Sequence, residues 1–94
     1  MDDVYELFRV LADKRRLEIL EFLLNDDYCV NELNILVGTT QPNISQHLKV
    51  LRDAGIIIVS KKGRTSCYVV RNKPRIVKII HYARKVVIQE EGDE

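Results

Sequence analysis

Apolar residues recur at helical spacing from the start of the chain. Val4, Leu7, Phe8 and Leu11 share a face and predict a first helix from about Asp3 to Ala12. Asp13 is placed to cap a second helix, in which Leu17, Leu20 and Leu24 form one stripe. Ile19, Phe22 and Leu23 widen that stripe enough to face more than one neighbour, and Asn25-Asp26-Asp27 then breaks the helix. Val30, Leu33 and Val37 mark a short third helix from about Val30 to Val37, ended by Gly38. Thr39 or Thr40 caps a fourth, with Pro42 in its first turn, where a missing N–H costs nothing. Ile44, Leu48 and Leu51 are its buried stripe, and it runs from about Gln41 to Ala54 before Gly55 stops it.

Two short helices joined by a tight Gly-Thr-Thr turn make a helix-turn-helix. The period then changes. Ile56-Ile57-Ile58-Val59 is β-branched throughout and too short for a helix, so it predicts a strand. Lys61-Lys62-Gly63-Arg64 supplies a turn, and Cys67-Tyr68-Val69-Val70 the returning strand. A hairpin directly after a helix-turn-helix is a wing. From Arg75 to about Gln89 a long helix carries Ile76, Val77, Ile79, Ile80, Ala83, Val86, Val87 and Ile88. These cover more than one stripe, and the excess apolar face predicts a partner subunit. The expected fold is mainly α with a small β-hairpin (α+β), a winged helix-turn-helix of about five helices and a two-stranded wing.

The chain has 94 residues, enough for one domain over 1–94, with the helix-turn-helix at about 30–54 and the wing at about 56–71. With no Trp and few aromatic residues, its core must be aliphatic, and dimerisation would supplement a modest burial. Two cysteines, Cys29 and Cys67, are too few for a disulfide scaffold. No apolar run is long enough for a membrane span or leader, so the expectation is no membrane partner and a reducing cytoplasm. Only the acidic end Glu90–Glu94 reads as a frayed tail.

Charge changes the picture most. From Gln41 to Arg75 eight basic residues face one acidic residue, a net of +7, whereas residues 1–40 carry −5. A near-neutral chain with a strongly basic middle is built to meet a polyanion along one surface. With Ile44, Leu48 and Leu51 inward, Pro42, Gln46 and Lys49 point outward, flanked by Asn43 and Ser45. Gln46 and Asn43 carry the paired amide groups that suit adenine, and Ser45 serves a base or a phosphate. Lys49 suits backbone charge, and Arg52 points to the side, placed for a salt bridge. His47 leans toward the buried flank, where a hydrogen bond within the domain is expected of it. Lys61, Lys62 and Arg64 on the wing should ride phosphates or the minor groove of double-stranded DNA.

At this point several strings resemble the ArsR/SmtB family of winged-helix repressors. Leu11-Ala12-Asp13 with Arg16-Leu17-Glu18-Ile19-Leu20 resembles the family's second-helix signature, with Lys14 where proline is common. Gln41-Pro42-Asn43-Ile44-Ser45-Gln46-His47-Leu48, then Leu51-Arg52 and Ala54-Gly55, is similar to its recognition helix. Gly63-Arg64 followed by Tyr68 resembles its wing. The resemblance implies a homodimer joined through the first and last helices (about 3–12 and 75–89). Val4, Leu7, Phe8, Ile76, Ile79, Ile80, Ala83 and Val87 would then form the interface. It also implies repression relieved by an inducer, with Gln41, Ser45 and Gln46 at DNA-reading positions.

The family's inducer is usually a metal or metalloid, and there the match ends. Cys29 stands alone where the arsenic-responsive pattern has two cysteines, and one thiolate cannot fill a soft-metal site. His81 is the only histidine of the last helix, where the zinc-responsive branch needs two. No metal or cofactor is therefore expected, and the inducer is unknown. The leading expectation is a homodimeric repressor reading a palindromic operator through the 41–54 helix and the 61–64 wing. The competing ones are a winged-helix protein-interaction module, and a redox- or metal-responsive repressor using Cys29 or Cys67. An enzyme is not expected. No nucleophile–base constellation or phosphate loop is present, and Ser45 and His47, two apart on a helix, point in different directions.

Overall fold

The computed structural model describes residues 1–87. Ile88 and Gln89 of the expected last helix, and the acidic end 90–94, lie outside the described residues. Five helices and three strands follow in the order α1 (Asp2–Leu11), α2 (Lys14–Asn25), β1 (Tyr28–Cys29), α3 (Val30–Val37), α4 (Gln41–Asp53), β2 (Ile57–Lys62), β3 (Thr65–Val70) and α5 (Lys73–Val87).

Local chemistry sets the helix boundaries. The Asp13 carboxylate accepts from the Arg16 N–H at 3.1 Å and caps α2. Gly38 closes α3 in the left-handed conformation at φ 78°, where a side chain would be strained. Between the two candidate caps for α4 the structure uses Thr40, whose Oγ1 accepts from the Asn43 N–H at 3.3 Å.

One aliphatic core joins these elements. Ile19, Leu20 and Leu23 of α2 meet Leu33 of α3 and Ile44, Leu48 and Leu51 of α4. Ile57 and Val70 close it from the sheet. The α2 face that is buried is thus the Ile19–Leu23 flank, and Leu17 of the expected stripe is exposed. In α1, Val10 and Leu11 are buried, whereas Val4 and Phe8 face out.

The expected two-stranded wing is the β2–β3 hairpin, and β1 adds a third antiparallel strand in the order β1-β3-β2. Tyr28 opposes Tyr68 and Cys29 opposes Cys67. A two-residue strand carries no alternation to read, so β1 exists through pairing rather than pattern. It is held by tertiary packing, with the Tyr28 ring edge-on to Phe22 at 6.3 Å between centroids. The hairpin strands are also longer than the apolar run suggests, because the ladder continues through polar pairs to Lys62 opposite Thr65. That leaves a two-residue Gly63-Arg64 loop. Gly63, at φ 66°, takes the positive dihedral that a tight hairpin needs at its first central position.

Candidate nucleic-acid interface

Burial of Ile44, Leu48 and Leu51 fixes the rotation of α4 about its axis. Gln41, Pro42, Asn43, Ser45, Gln46, Lys49 and Arg52 are all exposed as a consequence. At the hairpin tip Lys61, Lys62, Gly63 and Arg64 are exposed as well. A hollow of about 390 Å³ between α4 and β3 is lined by Ser45, Lys49, Arg52, Asp53 and Tyr68.

Two of the exposed lysines are held by carboxylates. Lys49 Nζ lies 2.7 Å from Asp53 Oδ2 one turn on, so that carboxylate pairs with Lys49 rather than with its neighbour Arg52. Lys62 Nζ lies 3.4 Å from Asp27 Oδ2, across the sheet. The first pair follows from its i,i+4 spacing. The second spans two elements and has no sequence signal.

A polar junction sets how α4 sits on α2. Arg16 donates through Nε to the Val10 carbonyl at 2.6 Å and through its terminal nitrogen to His47 Nδ1 at 3.2 Å. His47 is 15 % exposed and Asp13 lies 4.0 Å from it, so the histidine is structural, as its position on the buried flank predicts. Asp13 is held below the usual carboxylate range, first by the Arg16 backbone N–H and then by the charge of the Arg16 guanidinium. Arg15 reaches the Val37 carbonyl at 3.3 Å and ties α2 to the end of α3. Arg15 and Arg16 both stand in the first turn of the capped α2, and the partners they reach in α1, α3 and α4 carry no local sequence signal.

A second surface lies on α1 and α5. Phe8 is 54 % and Val87 78 % exposed, with Val4 and Ala83 also open and Leu7, Ile79 and Ile80 half-buried. Ile76 is corrected: at 7 % exposure it belongs to the core of its own chain and has no surface to offer a partner. Tyr5 and Tyr82 are exposed on the same two helices and were not singled out by spacing, because tyrosine reads equally well as a solvent-facing residue. An apolar hollow of about 440 Å³ between α1 and α5 is lined by Phe8, Leu11, Leu17, Ile79, Ile80 and Val87 among others. Among the described residues no three His, Cys, Asp or Glu side chains converge on a metal-sized site. No helix there is long and apolar enough to cross a membrane.

Residues 13–59, which hold the polar junction, the helix-turn-helix and the start of β2, match the family model described as bacterial regulatory protein, arsR family. The chain belongs to the ArsR family. It is accordingly a DNA-binding transcription regulator with a winged helix-turn-helix fold, and not an enzyme. The HTH-type transcriptional regulator Rv0081 of Mycobacterium tuberculosis is 37 % identical over 94 % of this chain and 77 % of its own length. The Rv0081 crystal structure superposes with a TM-score of 0.79 over 88 % of this chain and 83 % of that one, at 38 % identity. The arsenical resistance operon repressor of Bacillus subtilis is 42 % identical over 65 % of this chain and 59 % of its own length. The solution structure of the homodimeric winged helix-turn-helix DNA-binding domain of Mb0332 from Mycobacterium bovis superposes with a TM-score of 0.82. It covers 94 % of this chain and 83 % of that one at 21 % identity, a likeness of fold.

Proposed function

We propose that this ArsR-family regulator is a homodimeric repressor that reads a palindromic operator in the cytoplasm. Each α4 enters the major groove, where Gln41, Pro42, Asn43, Ser45 and Gln46 face base edges and nearby phosphates. Lys49 meets the backbone, and Lys61, Lys62 and Arg64 follow phosphates or the adjacent minor groove. The observation that carries this reading is the exposed, amide-rich face of α4, its rotation locked by the buried stripe of Ile44, Leu48 and Leu51, in a chain whose hairpin tip exposes Lys61, Lys62 and Arg64. Repression follows from the arsenical resistance repressor among the relatives. Dimerisation through α1 and α5 follows from their uncovered apolar surface and from the homodimeric neighbour.

Selection of bound fragments from random DNA by the purified protein tests this directly. The expected result is a two-fold-symmetric consensus whose half-sites are centred about one helical turn, ~34 Å, apart. Retention of no DNA at low salt would replace this reading with that of a protein-interaction module.

A further inference from the structure

The chain has two cysteines, and the β1–β3 ladder sets them directly opposite each other. Side chains of opposed residues in an antiparallel pair leave the sheet on the same face. Opposed Cα atoms stand about 4.5 or 5.5 Å apart, and both values lie within the ~4.4–6.8 Å window in which a disulfide closes. Both residues are free thiols, Cys29 half-buried and within reach of a small oxidant, Cys67 buried beside it. Neither thiol belongs to the polar face of α4.

We propose that Cys29 and Cys67 form a reversible cross-strand disulfide, installed by a peroxide, that weakens DNA binding. The Cys29 sulfur attacks one peroxide oxygen and the O–O bond breaks, leaving a sulfenic acid and releasing water or an alcohol. The Cys67 sulfur then attacks that sulfur. The S–S bond forms, the S–O bond breaks, and the departing hydroxide takes up the Cys67 proton as water. Two thiols are oxidised by two electrons and the peroxide is reduced by the same two. A dithiol reductant reverses the bond by exchange.

The consequence for DNA rests on the role proposed for the wing. Lys62 of the hairpin tip already leans on Asp27, two residues before Cys29. Its ladder partner Thr65 stands two residues before Cys67. A covalent link between β1 and β3 holds the tip against Asp27, where a carboxylate occupies Lys62 in place of a phosphate. The same link anchors the residue that immediately precedes α3.

The test exposes the full chain to hydrogen peroxide, then follows maleimide labelling, intact mass, non-reducing peptide maps and anisotropy on the selected operator. Both thiols are expected to disappear together, with loss of two hydrogens and a Cys29–Cys67 peptide from within one chain, all restored by dithiothreitol. Operator affinity should fall about tenfold on oxidation, as loss of one or two phosphate contacts gives. Cys29→Ser and Cys67→Ala should each abolish that response and keep the reduced protein's affinity. Thiols that still label after peroxide, or a link found only between chains, overturn the disulfide. Full oxidation with unchanged affinity overturns its effect on DNA. If the reduced protein itself fails to retain DNA, the operator reading fails, and the thiol mapping still decides the disulfide.

Discussion

In the proposed complex Gln46 reads a base and Lys62 anchors a phosphate, and a pair of substitutions separates the two roles. Gln46 stands on the exposed face of α4, where a side-chain amide can pair with an adenine edge. Gln46→Ala should cost about 1–3 kcal/mol on the selected operator and relax base choice at one position per half-site, read by binding to single-base variants. Lys62→Ala should weaken operator and random DNA alike and reduce the salt slope by about 1 per protomer. Equal behaviour of the two variants on cognate and random DNA would remove the distinction between reading and anchoring. Asp27 sharpens the point, since it holds Lys62 at 3.4 Å in the free protein. An exposed pair of this kind contributes about 0–1 kcal/mol, so Asp27→Asn should raise affinity by up to about fivefold at low salt. A drop in affinity would mean that Asp27 positions the lysine rather than competing for it.

At the level of elements, legibility in the sequence followed the kind of force involved. The helices and their ends were readable because caps, glycine stops and a 3.6-residue period are local signals. Asp13, Gly38 and Thr40 act within a few residues of their own positions. Strand β1 and the polar reach of β2 were not readable, because the ladder bonds and the Phe22–Tyr28 contact that hold them join distant segments. The exposed face of α4 was legible through Ile44, Leu48 and Leu51, whereas the Arg16–His47 bond that seats it on α2 was not. The assignment of Ile76 to an interface failed because apolar excess alone does not say which stripe of a helix its own chain covers. Asp13 offers an element-scale test. Asp13→Ala should cost about 0.5–2 kcal/mol at neutral pH through loss of the α2 cap, measured by urea unfolding. Its folded-state pKa is lowered, so the charge-dependent part is present above the unfolded carboxylate value of about 4 and is lost as pH falls through the folded value. The gap between parent and variant should therefore narrow in acid. A gap that widens there would assign the stabilisation to some other group.

For the whole molecule, two surfaces have to work at once. The acidic first forty residues and the basic stretch from Gln41 to Arg75 give one protomer an uneven charge that orients it toward a duplex. Orientation alone does not select a site, because one α4 reaches only a few base pairs. In the proposed homodimer the exposed Val4, Tyr5 and Phe8 of α1, and Tyr82, Val86 and Val87 of α5, hold a second α4 at fixed distance. Joining two such readers turns the second contact into an intramolecular event, worth a gain of about 10²–10⁴ in apparent affinity without any new base contact. Phe8→Glu puts a charge into the proposed seam while leaving the buried core of the chain untouched. The variant should sediment as a single subunit and keep its helical circular dichroism. On the full palindrome it should lose affinity by about that factor, and on an isolated half-site it should bind like the parent. A Phe8→Glu protein that remains dimeric would move the seam off α1. One that becomes monomeric yet holds the palindrome as tightly as the parent would remove the need for paired readers altogether.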